Sequence, residues 1–108
     1  MDRAENRLSI LVFDPHGELH AHARSAFVGD RVVRVHTNAA ASRALECVEF
    51  DIIMCRPDAR DNLPVCDDRV TVVDRPLDPE TIVGLIARAL ERRARAARRL
   101  RAGGDFPP

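Results

Sequence analysis

Strand-length apolar runs alternate along this chain with segments of helical period, and that alternation restricts the fold more than any other feature. LSILVF at 8–13 and FDIIMC at 50–55 are too short for helices and too continuously apolar for strands with one wet face. Such runs suit strands buried on both sides, as in parallel sheets. Between them, Leu19, Ala23, Ala26 and Phe27 fall on one face of a helix expected over 18–28, which Gly29-Asp30 ends. RVVRVH at 31–36 is β-branched and short, a second strand. Thr37-Asn38 then offers an N-cap to a helix over 39–49, whose face carries Ala41, Leu45 and Val48. The order β-α-β-α-β requires a parallel sheet with right-handed crossovers.

The pattern then changes. Residues 57–68, PDARDNLPVCDD, hold two prolines and no helical period, and read as a loop with at most one short turn. RVTVV at 69–73 is a fourth strand, punctuated by Asp74-Arg75-Pro76. Asp78 as cap and Pro79 at the first helical position start a long final helix whose stripe is Ile82, Ile86, Ala89 and Leu90. These signals divide the chain into a tail over 1–7, a body over 8–90, an Arg-rich extension of the last helix over 91–102, and a tail over 103–108, expected to be disordered after Gly103-Gly104.

At 108 residues and 45% hydrophobic, the chain has enough apolar material for one domain without staples. All 17 of its cationic residues are arginines, balanced by 17 Asp and Glu. The balance is uneven along the chain. Residues 1–90 hold 11 Arg against 15 acids, a formal charge of −4, whereas residues 91–101 hold six Arg against Glu91, a charge of +5. The three cysteines, Cys47, Cys55 and Cys66, match no zinc or redox spacing and read as reduced packing residues. The start, MDRAENR, is polar with no apolar region behind it, and no stretch approaches a membrane span, so a soluble cytoplasmic protein with no membrane partner is expected. His16, His20 and His22 with Asp14 make at most a partial metal set. Neither a phosphate-binding glycine loop nor a nucleophilic triad motif is present, which argues against an enzyme.

ILVFDP, FDIIMCR and VDRPLDPETIVGLIARAL together resemble the receiver domain of bacterial response regulators, over about residues 8–92. The resemblance implies a truncated, doubly wound α/β sheet of about four parallel strands, order 2-1-3-4, with three helices. It also implies a degenerate pocket at Asp14, Pro15, Arg56 and Arg75. Asp14 matches the first of two magnesium-binding acids and Pro15 replaces the second; Arg56 stands at the phosphoacceptor, and Arg75 replaces the phosphoryl-contacting lysine. Arginine cannot form an acyl phosphate, and its fixed charge opposes a metal ion. Only 19 positions separate Arg56 from Arg75, so the helix-strand-helix unit that receivers carry there is missing. Asp14 and Arg56 are expected to meet at the carboxyl ends of adjacent strands, where an ion pair would fill the vacated metal site; the alternative is that Arg56 turns outward to solvent acids such as Asp58 or Asp61.

The resulting expectation is a pseudo-receiver with neither cofactor nor metal, working through protein contact in bacterial regulation without phosphorylation. Self-association into a homodimer is expected through Ile82, Val83, Ile86 and Leu90. The alternative is a small nucleic-acid-associated protein whose Arg88, Arg92, Arg95, Arg98 and Arg99 form an anion-binding stripe. A third reading keeps a phosphoacceptor at another aspartate, Asp51 or Asp58.

Overall fold

The computed structural model describes residues 7–65 and 67–104. Its elements are β1 (Ser9–Phe13), α1 (Glu18–Ala26), β2 (Arg31–Val35), α2 (Asn38–Cys47), β3 (Ile52–Cys55), a 3-10 helix (Pro57–Asn62), β4 (Val70–Val72) and α3 (Pro79–Gly104). The strands form one all-parallel sheet in the order β2-β1-β3-β4, the four-stranded α/β arrangement that the sequence leads one to expect. Residues 1–6, Cys66 and 105–108, which include most of the two expected tails, lie outside the described residues.

β1 and β3 are the central pair, and their continuous apolar runs face helices on both sides. Leu8, Ile10, Val12, Ile52 and Met54 pack with Leu19 and Ala23 of α1, with Phe27 just after it, and with Leu85 and Ala89 of α3. On the opposite face, Leu11, Phe13, Ile53 and Cys55 pack with Ala41 of α2 and Ala59 of the 3-10 helix. The edge strands are mixed in composition because each has only one neighbour and more solvent: β2 carries Arg31 and Arg34, and β4 is Val-Thr-Val.

Local chemistry sets the boundaries. Gly17 and Gly29, on either side of α1, hold φ of 95° and 90°, the left-handed region that glycine adopts without strain. Thr37 caps α2 by accepting the Ala40 N–H, and Asp78 accepts the Thr81 N–H at 2.7 Å ahead of Pro79. The connection after β3, expected as a loop with at most one short turn, winds Pro57–Asn62 into the 3-10 helix, which buries Ala59. Its end is tied to α2 by Asn38 Nδ2, which donates to the Asn62 carbonyl. Arg69 then steers the chain into β4, donating to both Asp67 carboxylate oxygens and to the Phe50 carbonyl. These bonds to Arg69 hold the Asp67 carboxyl below the ordinary carboxylate value, outweighing the upward push of burial.

α3 runs to Gly104, so the Gly103-Gly104 pair forms the last of its described residues. Of the stripe expected to meet a second copy, Ile82, Ile86 and Leu90 are half-buried and pack against the chain's own core beside buried Leu85 and Ala89, which leaves less of it free than expected. Only Val83 of that set turns to solvent, 66% exposed. A parallel sheet needs cover on both faces, and the sheet takes this stripe for itself. Leu85→Ala is therefore expected to cost about 2–5 kcal/mol in denaturant unfolding, whereas Val83→Ala stays within about 0.5 kcal/mol of the wild type. The reverse order would show that α3 docks through another face.

Candidate functional site

Parallel register brings the turns after β1 and β3 together: Phe13 pairs with Val35 on one side and Cys55 on the other. Asp14 follows Phe13 and is 1% exposed. Its own N–H donates to the Val35 carbonyl at 3.0 Å. Its carboxylate turns into the start of α1, where Oδ1 accepts the His16 N–H at 3.2 Å and Oδ2 accepts the His20 N–H at 3.0 Å. Burial pushes the carboxyl up, but backbone N–H groups of His20, Gly17, His16 and Leu19 outweigh it and hold Asp14 below the ordinary value. The amino end of α1, a natural anion site, is thus filled by the chain's own carboxylate.

Arg34 locks the same turn from β2. Its Nε donates to the Asp14 carbonyl at 2.9 Å and Nη2 to the Pro15 carbonyl at 3.2 Å. A Cβ at Gly17 would meet this guanidinium at 3.4 Å. His20 is held below the ordinary histidine value by burial, then by Arg24 and Arg34, against a smaller opposing pull from Asp14.

The expected ion pair between Asp14 and Arg56 is not the one formed. Arg56 Nη2 reaches Glu18 Oε2 at 3.5 Å, on the first turn of α1, with side chains 37% and 75% exposed. A solvated pair at that distance contributes little. Arg75 does not close the pocket either; it is exposed and lies 3.8 Å from its neighbour Asp74. Pro15 is exposed. Beside them the Cys55 thiol is fully buried, and burial pushes its pKa up, leaving it a neutral packing group. Among the described residues, no group of three or more His, Cys, Asp or Glu is placed to hold a metal ion.

A second polar constellation closes the opposite end of the sheet. Asp51, just before β3, accepts the Ser9 N–H on Oδ2 at 2.8 Å and is gripped by Arg93, whose Nε and Nη2 donate to its two oxygens at 2.7 Å each. Arg93 Nη2 also donates to the Arg7 carbonyl, and Arg92 Nη2 to the Asp51 carbonyl at 2.8 Å. Arg92, expected in the anion-binding stripe, is therefore part of a structural clasp, as is Asp51, one of the two alternative phosphoacceptors. Arg95, Arg98 and Arg99 remain exposed, as does Arg88.

Sequence reasoning did not find Arg34 or Arg93. A weak signal existed for Arg34, a charge at the second position from Val32 on the same face of a β-branched edge strand. None existed for Arg93, whose partner is 42 residues away.

These observations define a small, all-parallel α/β sheet in which carboxylates and guanidinium groups at both ends are engaged with the chain itself. No family model matches the chain, and no curated protein or solved structure matches it either.

Two outcomes follow from this geometry. Asp14 has a lowered folded pKa, so its contribution is present above the unfolded value and lost as the pH falls through the folded one; lowered His20 acts in the same direction at higher pH. Asp14→Asn is expected to lose about 1–3 kcal/mol at neutral pH. It should also flatten the fall in stability below about pH 5, measured by denaturant midpoints. An equally steep acid slope in the variant would remove Asp14 from this role. Arg93→Ala is expected to cost about 2 kcal/mol through the lost charge-assisted pair, while Arg95→Ala leaves the midpoint unchanged; equal effects would contradict the clasp.

Proposed function

We propose that this chain is a phosphorylation-independent pseudo-receiver, a cytoplasmic regulatory module of bacterial signalling that works by protein contact and not by catalysis. One observation carries the reading: the carboxylate at the receiver-like position, Asp14, already accepts two main-chain N–H bonds inside the fold. Each oxygen keeps a second lone pair, but the residue is 1% exposed, so a metal ion could reach it only if the turn into α1 opened. The arginine beside it, Arg56, cannot accept a phosphoryl group and leans toward Glu18. The strand order and the placement of α1 and α3 on one face with α2 on the other also support a receiver-like sheet. None of the helices in the described residues is long and apolar enough to cross a membrane.

Incubation with acetyl phosphate and magnesium is expected to leave the intact mass unchanged, and magnesium with beryllofluoride to leave the melting temperature unchanged. Arg56→Asp should respond no better, since β4 directly follows the 3-10 connection with no intervening helix-strand-helix unit. A saturable, magnesium-dependent response in the wild-type chain would overturn the reading. The exposed Arg95, Arg98 and Arg99 favour a second reading, contact with nucleic acid, whose mark is binding to mixed-sequence duplex DNA that weakens steeply with salt.

A further inference from the structure

α3 and α2 lie on opposite faces of the sheet, and each presents something the other lacks. Past the Asp51 clasp, α3 continues with Arg95, Arg98 and Arg99 exposed and Leu100 78% exposed. At 1.5 Å per residue, the seven positions from Arg93 to Leu100 carry the helix about 10 Å beyond its anchor. On the other face, a trough of about 550 Å³ runs between the end of α2 and the connection to β4. Leu45, Val48, Pro64 and Val65 line it, and Glu46 and Glu49 stand exposed beside them. Its one cation, Arg69, is already bound to both oxygens of Asp67. The volume lies in the range that takes a few side chains of a partner.

Charge selects the occupant. The trough belongs to the part of the chain with formal charge −4, and the tail to the part with +5. Pairing two tails with each other would set three exposed arginines against three more, with one Glu91 on each to offset them. Within one molecule Ala96, Ala97 and Leu100 line a separate cleft that meets the trough at Glu49 and Arg69, but Arg92 and Arg93 hold the unbroken α3 on the other face, so Leu45, Val48, Pro64 and Val65 stay open to a second copy. Building on the reading of this chain as a protein-contact module, we propose that the α3 tail of one molecule docks in the α2 trough of a second copy. Arg95, Arg98 and Arg99 then face Glu46 and Glu49, and Leu100 covers the apolar floor. The exchange is reciprocal about a two-fold axis, so each molecule gives one tail and receives one.

The test is charge exchange in the full chain, read by light scattering at concentrations on the order of tens of micromolar, where a micromolar Kd populates the dimer. Wild type is expected to be a dimer at low salt and to dissociate at high salt. A tail variant, Arg95→Glu with Arg98→Glu and Arg99→Glu, and a trough variant, Glu46→Arg with Glu49→Arg, should each be monomeric. At high salt, where the wild type is also monomeric, their melting temperatures should match it, because none of the five side chains is in the core. Mixed together, the two variants should form a one-to-one heterodimer, since one contact keeps its original signs and the other is restored with signs reversed. A wild-type monomer at low salt, a dimer that survives in either variant, or a mixture that stays monomeric would each overturn the proposal. A wild-type monomer that binds duplex DNA through the tail would assign the arginines to nucleic acid instead. None of these failures touches the phosphodonor result, which tests the pseudo-receiver reading separately.

Discussion

The structure turns on aspartates that accept main-chain N–H groups where strands and helices begin. Asp14 accepts from His16 and His20, Asp30 from Leu8, Asp51 from Ser9, and Asp78 from Thr81. A sheet with strands of three to five residues has many ends for its size, and each end leaves donors without a ladder partner. Unpaired buried donors are costly, and a short carboxylate supplies a strong acceptor with little side-chain entropy to lose. The acidity of the body is thus in good part architectural. It also explains why the carboxylate after β1, at the carboxyl end of the sheet, turns into the start of α1.

Arginine plays the complementary part. Arg34, Arg69 and Arg93 each bridge segments distant in sequence by donating to carbonyl or carboxylate oxygens, using the guanidinium fork for two or more bonds at once. A lysine in any of these places would supply a single point of attachment, and the turn after β1, the approach to β4 and the seat of α3 would each lose a constraint.

What could be read in the sequence was what depends on local pattern. The doubly buried strands β1 and β3 follow from apolar runs, α2 from its Thr37 cap, and the start of α3 from Asp78-Pro79. The 3-10 helix was hidden because Pro57–Asn62 has no apolar period, only Ala59 turned inward. The candidate site was legible in position and not in partnership. Register alone places residues 14 and 56 at neighbouring strand ends, but the direction of a long flexible side chain is decided by what surrounds it. Arg56 took Glu18, a residue unremarked in the sequence, because Asp14 was already enclosed by α1. The stripe on α3 was legible as a burial face, but how much of it the chain's own sheet takes was not, since apolar period reports burial without saying against what.

The clasp at Asp51 links the two ends of the described chain. Ser9 opens the sheet, Arg93 lies on the last helix, and both hold the same carboxylate, while Arg93 also reaches the Arg7 carbonyl. Fraying is ordinarily a private matter of each terminus. Here one local opening must release the first strand and the far half of α3 together, so neither terminus can loosen alone, and a weight placed on the projecting helix is felt at the first hydrogen bond of β1.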